Sequence, residues 1–304
     1  MKCRFCRNQL EHLFIDLVSS PLSNSFLKKE QLNEPESYYP LKVYICEKCF
    51  LVQIDEYKNY EDIFNDDYVY FSSLSKTWLD HSKKYVEMII PKIGLDKKSR
   101  VIEIASNDGY LLQYFKEREI PCFGIEPTGC TARAAKAKGI EVVEDFFGKA
   151  LAEKLSREGK AADLVLGNNV LAHVPDINDF VEGLKIVLKT KGIVTMEFPH
   201  LMQLVENNQF DTIYHEHFSY LSLGTVKEIF REHGLEIYDA EELPTHGGSL
   251  RVYARRDSQG TSEVSQGLAA VLEKEKRAGM NTLDYYLTFK EKVEKVKLNF
   301  LDFI

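Results

Sequence analysis

Two pairs of cysteines share one spacing, Cys3-Arg4-Phe5-Cys6 and Cys46-Glu47-Lys48-Cys49. Thiolates three positions apart on a tight turn can face one ion. Two such turns complete a tetrahedral sulfur site of the kind that suits Zn2+, and with all four positions filled by protein the metal is structural. Four unrelated thiols or a redox pair is the other reading of this spacing. A second cluster, Tyr214-His215-Glu216-His217-Phe218, brings a phenol, a carboxylate and two imidazoles together. Histidine exchanges a proton near neutral pH, a carboxylate can orient it, and a tyrosine can donate a hydrogen bond to a developing oxyanion. The set suits removal of a proton alpha to a carbonyl, with the enolate then attacking a methyl sulfonium. A His-x-His metal site or a satisfied core network would use the same residues. Within the cluster His217 reads as the base and His215 as structural. His173 reads either as a substrate-side or relay histidine or as packing, and the isolated Cys122 and Cys130 read as packing residues.

The elements that must position these groups follow from periodicity. Residues 1–62 read as a small metal-stapled module in which Tyr38–Ile45 alternates like a strand, and bound metal would supply folding free energy. Residues 63–98 read as a connecting loop followed by an amphipathic helix with Leu74, Trp78, Tyr85, Met88 and Ile89 on one side. From residue 99 to 258, short apolar strands alternate with helices, starting with Arg100–Ala105, Cys122–Ile125, Val142–Val143, Asp163–Leu166 and Gly192–Phe198. That alternation predicts a parallel sheet with helices on both faces. Leu235–Glu242 and Ser249–Arg255 have no helix between them and predict a terminal antiparallel hairpin. Residues 259–304 read as a helical tail.

In such a sheet, ligands bind beyond the carboxyl ends of the strands. The first strand ends in Glu103-Ile104-Ala105-Ser106-Asn107-Asp108-Gly109, where small and polar residues let a ligand approach the backbone. The second ends in Glu126-Pro127, a carboxylate suited to a ribose diol. Gly109 is the one glycine of the first turn, so a dinucleotide cradle is not expected, and S-adenosylmethionine fits better than NAD. Asp145 and Phe146 follow the third strand and offer a carboxylate and an aromatic face to an adenine. Asn168 and Asn169 follow the fourth, where donor and acceptor would meet. Taken singly, Glu103 could be a capping carboxylate and Glu126 a surface residue. Taken in order, with the terminal hairpin, the strand ends predict an α/β class I methyltransferase fold, a Rossmann-like seven-stranded sheet preceded by the zinc module and followed by the helical tail.

Composition excludes several classes. Lys and Arg number 39 against 47 Asp and Glu, a formal charge of −8, which disfavours nonspecific binding to nucleic acid or an anionic membrane. Apolar residues at 44% and charged residues at 28% are globular values. The sequence offers no membrane span and no signal-peptide core at its N-terminus, so the cytoplasm is the expected location.

With these motifs in view, the chain resembles the zinc-containing sugar C-methyltransferases, which methylate C3 of nucleotide-linked 4-keto-deoxysugars. The likeness is carried by the paired CxxC motifs, Pro21-Leu22-Ser23-Asn24-Ser25-Phe26-Leu27, Ser106–Leu111, Gly124–Pro127, Asn168–His173, Glu197–His200, Tyr214–Tyr220 and His246–Arg251. It implies His217 as general base with Glu216 beside it, Tyr214 near the keto oxygen, His173 near the sugar, and Tyr68 as a substrate-side tyrosine. It also implies a further C-terminal domain beyond Ile304 that helps hold the nucleotide, supplied separately or missing. The competing readings are an O- or N-methyltransferase of another small molecule and a catalytically idle subunit that binds S-adenosylmethionine without turnover. A nucleic-acid methyltransferase is disfavoured because the basic residues of the zinc module are balanced by acidic ones.

Overall fold

The computed structural model describes residues 1–64, 70–257 and 264–304, with the Asp62 side chain left aside. An N-terminal antiparallel sheet contains β1 (His12–Ser20), β2 (Tyr39–Ile45) and β3 (Val52–Ile54), followed by the short helix α1 (Tyr60–Ile63). The long helix α2 (Lys76–Ile93) begins where the Ser75 hydroxyl accepts the Trp78 N–H, and it stops at Gly94, whose φ of 71° few other residues adopt readily. Then β4 (Val101–Ile104), α3 (Leu112–Lys116), β5 (Cys122–Ile125), α4 (Gly129–Ala137), β6 (Glu141–Val143), α5 (Lys149–Arg157), β7 (Ala162–Asn168), α6 (Ile177–Val187) and β8 (Leu188–Pro199) alternate as expected. The chain continues with α7 (Leu201–Glu206), β9 (Ser219–Tyr220), α8 (Leu223–Glu232), β10 (Leu235–Leu243), β11 (Ser249–Arg256), α9 (Gln266–Ala278), α10 (Leu283–Leu287) and α11 (Phe289–Phe303).

The central sheet has the order β10-β11-β8-β7-β4-β5-β6, with β11 antiparallel to both of its neighbours and the other pairs parallel. All four residues of β4 are buried, as expected for a strand covered on both faces. One face packs α5, α6, α8 and α9 through residues such as Leu155, Phe180, Ile229 and Leu268; the other packs α2, α3 and α4 through Val86, Phe115 and Ala135. The chain leaves β4 toward β5 on one side, and β7 lies on the other. This reversal opens a crevice at the carboxyl ends of β4 and β7.

The N-terminal sheet is not self-contained. Its order is β1-β2-β3-β9, and β9 arrives from far along the chain, pairing Val52 with Tyr220 and Gln53 with Ser219. Its core includes Leu201, Val205, Ile213, Phe218, Tyr286 and Phe289 beside Phe14, Val43 and Ile54. The helical tail is therefore partly packed: Phe289 stacks on Phe14 at 4.7 Å and Tyr286 on Phe50 at 5.8 Å, while Phe300, Phe303 and Ile304 are exposed. Among the described residues no helix is long and apolar enough to cross a membrane.

Candidate functional site

The four cysteines converge. Their sulfur atoms all lie within 4.8 Å of one another, with Cys3 and Cys49 at 3.6 Å and Cys6 and Cys46 at 3.5 Å. Zn–S bonds of ~2.3 Å in a tetrahedron place sulfurs about 3.8 Å apart, whereas a disulfide needs ~2.05 Å, so the donor set fits a zinc ion and holds no disulfide. Each cysteine pair is closed by a left-handed residue one position later, Arg7 at φ 61° and Phe50 at φ 55°. Gln53 Nε2 donates to Cys3 Sγ at 3.3 Å, an outer hydrogen bond that stabilises a thiolate. Hydrogen bonds from Cys46 and Cys49 hold the Cys3 thiol far below its usual range, the direction a thiolate ligand needs. The α/β half of the chain clamps both turns: Asn178 Nδ2 donates to the Arg4 and Phe5 carbonyls, and the Thr225 hydroxyl lies within 3.2 Å of the Cys49 and Phe50 carbonyls.

A cavity of about 760 Å3 occupies the crevice, within the ~300–1,000 Å3 range of small-molecule sites. Beyond the strand ends, Asn107, Glu126, Pro127, Asp145, Phe146, Asn168 and Asn169 line its wall. Glu126 is buried, and its two oxygens accept the backbone N–H groups of Asn107 (2.8 Å) and Thr128 (2.9 Å). Burial raises its pKa against the lowering effect of these donors. Phe146 meets Tyr60 edge to face at 4.6 Å, so α1 reaches this wall of the cavity. Among the described residues, buried Asn168 Nδ2, Asn169 Oδ1 and His173 Nδ1 have no hydrogen-bond partner, which fits groups meant for a ligand.

Four expected cofactor residues, Glu103, Ser106, Asp108 and Gly109, do not line the cavity; they sit behind it and shape the turn. Glu103 is fully buried, and burial raises its pKa well above the carboxylate range. Ser106 packs against Gly124, where an added Cβ would come within 2.1 Å of its Oγ. Asp108 takes hydrogen bonds from Ser73 and, at 3.2 Å, from Lys138. Gly109 leaves room for Ile140. Ala105, Asn107 and Gly109 all have positive φ (55°, 49° and 75°), so the turn keeps its shape although two of the three pay the Cβ clash. Asn107 ties this turn to the chain before α2 by donating to the Tyr70 carbonyl and accepting from the Ser72 N–H, each at 2.9 Å.

His173, Tyr214, Glu216 and His217 all line the same cavity, whereas Tyr68 lies outside the described residues. His217 Nδ1 is 3.0 Å from the Thr212 carbonyl. A carbonyl only accepts, so Nδ1 carries the proton and Nε2 is an acceptor, taking the Tyr214 hydroxyl at 3.0 Å. Burial lowers the His217 pKa to about 4, and it lowers that of His173 well below the usual value with the help of His217, whose ring centroid is 4.6 Å away. Tyr214 is shifted up by burial and by Glu216. The group that orients His217 is the Thr212 carbonyl. Glu216, expected in that role, accepts through Oε1 from Ser23 Oγ (2.9 Å) and Asn24 Nδ2 (2.8 Å) of the N-terminal module. His215 turns away to the Pro40 carbonyl at 3.1 Å.

Trp78 and His246 also line the cavity, and neither was given a role there from the sequence. Trp78 on α2 faces His246 edge on at 4.9 Å, and Asn169 Nδ2 reaches the His246 ring at 3.2 Å. His246 stands in the β10–β11 turn at φ 52°. Beneath it, Glu197 and Arg251 are register partners on β8 and β11 and form a buried ion pair at 2.9 Å, to which Thr245 adds a hydrogen bond at 3.0 Å. The Glu197 and His246–Arg251 motifs thus build one support, a pairing visible only once the strands are aligned.

Comparison with known proteins agrees with this architecture. Residues 3–64 match a family model described as "Putative zinc binding domain", residues 79–240 one described as "Methyltransferase domain", and residues 244–304 one described as "C-methyltransferase C-terminal domain". The chain is 31% identical over 296 residues to C-methyltransferase NovU of Streptomyces niveus, covering 97% of this chain and 70% of the relative. Among solved structures, the PH0226 protein of Pyrococcus horikoshii OT3 superposes with a TM-score of 0.51 at 15% identity, over 66% of this chain and 99% of that one, a likeness of fold. The chain belongs to the S-adenosylmethionine-dependent C-methyltransferases that carry an N-terminal zinc-binding domain.

Proposed function

We propose that the protein methylates C3 of a nucleotide-linked, TDP-type 4-keto-deoxysugar. The observation that carries this reading is His217: a buried, neutral imidazole whose Nδ1–H is fixed by the Thr212 carbonyl and whose Nε2 lone pair meets the Tyr214 hydroxyl at the cavity wall. A 4-keto group acidifies the adjacent C3–H. His217 Nε2 takes that proton, and the electron pair moves to the keto oxygen as an enolate. The Tyr214 O–H, released from Nε2 by the incoming sugar, donates to the enolate oxygen. S-adenosylmethionine would supply an electrophilic methyl from its sulfonium to C3, the S–CH3 bond breaking to leave a neutral thioether as the ketone re-forms. Glu126 holds its ribose, Asp145 and Phe146 receive the adenine, and the turn through Asn107 with Asn168 and Asn169 holds the remainder. His173 faces the sugar with Nδ1, and Glu216 binds a sugar hydroxyl in the orientation Ser23 and Asn24 impose. The cysteine centre is structural in this scheme, and the methyl acceptor is a small molecule.

The test is a methyl-transfer assay on a TDP-4-keto-6-deoxysugar, with NMR locating the new methyl. Transfer to C3 that is abolished by His217→Ala, with S-adenosylmethionine affinity retained, supports the reading. Methyl on oxygen or nitrogen, or a His217→Ala variant of normal rate, sinks it.

A further inference from the structure

Arg4 lies between the first two cysteines, yet its side chain leaves the metal centre and runs beneath the histidines of the cavity. It is only 9% exposed. Its backbone N–H donates to Gln53 Oε1 at 2.8 Å, and Gln53 reaches back to Cys3 Sγ, so the residue is anchored to the thiolate cluster. Its guanidinium donates from Nη1 to the Pro175 carbonyl (2.9 Å) and to Glu56 (3.1 Å), and from Nη2 to the Ile54 carbonyl (3.2 Å). The guanidinium carbon stands 5.0 Å from the centre of the Phe218 ring. Pro175 follows His173 by two residues and Phe218 follows His217 directly, while the Ile54 N–H donates to the Phe218 carbonyl at 3.1 Å. One side chain therefore grips both segments that present the paired histidines.

We propose that Arg4 is a positioning residue for the methyl transfer, setting the separation of His173 and His217 and linking the order of the four-cysteine centre to them. The inference rests on His217 being the base. Lysine cannot replace Arg4, because a single ammonium cannot bond the Pro175 and Ile54 carbonyls while covering the Phe218 ring. In Arg4→Lys, kcat is expected to fall about 10- to 100-fold, the scale of a misplacement near 1 Å. Zinc content stays at one equivalent, and S-adenosylmethionine affinity stays within about twofold. Histidine 15N spectra should show His217 changing from a pure Nδ1–H tautomer to a mixture, a signature that a merely structural role would not move. Unchanged kcat in a folded, zinc-loaded variant overturns the proposal, as does a loss of stability with the tautomer intact. His217→Ala measured alongside separates the two ideas: if it keeps its rate the base assignment falls, whereas only the Arg4→Lys spectrum tests the grip. Should Arg4→Lys not fold, Glu56→Gln loosens the same guanidinium from its exposed side. A smaller loss of kcat with mixed His217 tautomers then supports the proposal, and no change in either overturns it.

Discussion

Replacing His217 by glutamine should make the protein less sensitive to acid. In the folded chain the imidazole is buried and its pKa lies near 4, against an ordinary value of 6.5. Between these values the unfolded chain binds a proton that the folded chain refuses, so stability rises with pH through the window and is lost as pH falls through it. At 1.36 kcal/mol per pKa unit, the linkage costs the folded state about 2 kcal/mol at pH 5 and about 3 kcal/mol below pH 4, and close to nothing above pH 7. The assay is urea unfolding of wild type and His217→Gln, both without ligand, at pH 7.5, 6.0 and 5.0. Buried histidines away from His217 titrate alike in both proteins and cancel in the difference, whereas His173, whose pKa His217 helps to lower, is followed separately by its own NMR titration. The stability of wild type relative to the variant should drop by about 2 kcal/mol between pH 7.5 and 5.0. Parallel curves, differing by less than about 0.5 kcal/mol across that range, would show that His217 is not a buried neutral imidazole and would remove its claim to be a ready base.

Two further outcomes follow from the geometry. Glu126→Gln places an amide N–H against one of the two backbone donors that now meet the carboxylate. Calorimetry should show S-adenosylmethionine binding weakened about 10- to 100-fold, the worth of hydrogen bonds to a charged group, and unchanged affinity would remove Glu126 from the ribose site. Cys46→Ser should abolish stoichiometric zinc and lower unfolding stability by more than about 3 kcal/mol, as read by metal analysis and melting, and a zinc-replete variant would refute the four-sulfur site.

What could be read from the sequence was set by the range of each interaction. The four cysteines were legible because residue type and spacing alone define a ligand set. The central sheet was legible because short apolar strands alternating with helices admit few arrangements. Strand β1 was missed: its pairing with β2 shifts register between Leu13 and Ile15 and again between Asp16 and Ser19, which breaks the alternation that marks a strand. The two-residue strand β9 carries no periodicity, so its union with β3 was invisible. The partners of Glu216 were missed for a related reason. Ser23 and Asn24 lie in a loop of the other half, and nothing local to Glu216 prefers them over His217. The turn after β4 was half legible: its run of polar residues stands out in the sequence, but the left-handed backbone of Ala105 and Asn107 is imposed by the surroundings and not by their own preference.

The joining of β3 to β9 has a consequence during synthesis. Val52 leaves the ribosome long before its partner Tyr220. At ~5–20 residues per second the wait is roughly 10–30 s, during which β3 presents one edge of unpaired N–H and C=O groups. All four ligands, Cys3, Cys6, Cys46 and Cys49, precede β3 in the chain, so metal capture does not wait for β9 and can hold the root of that strand while its edge is open. Zinc supply during translation should thus govern how much nascent chain is lost to edge-to-edge aggregation, independently of anything the metal does in the finished enzyme.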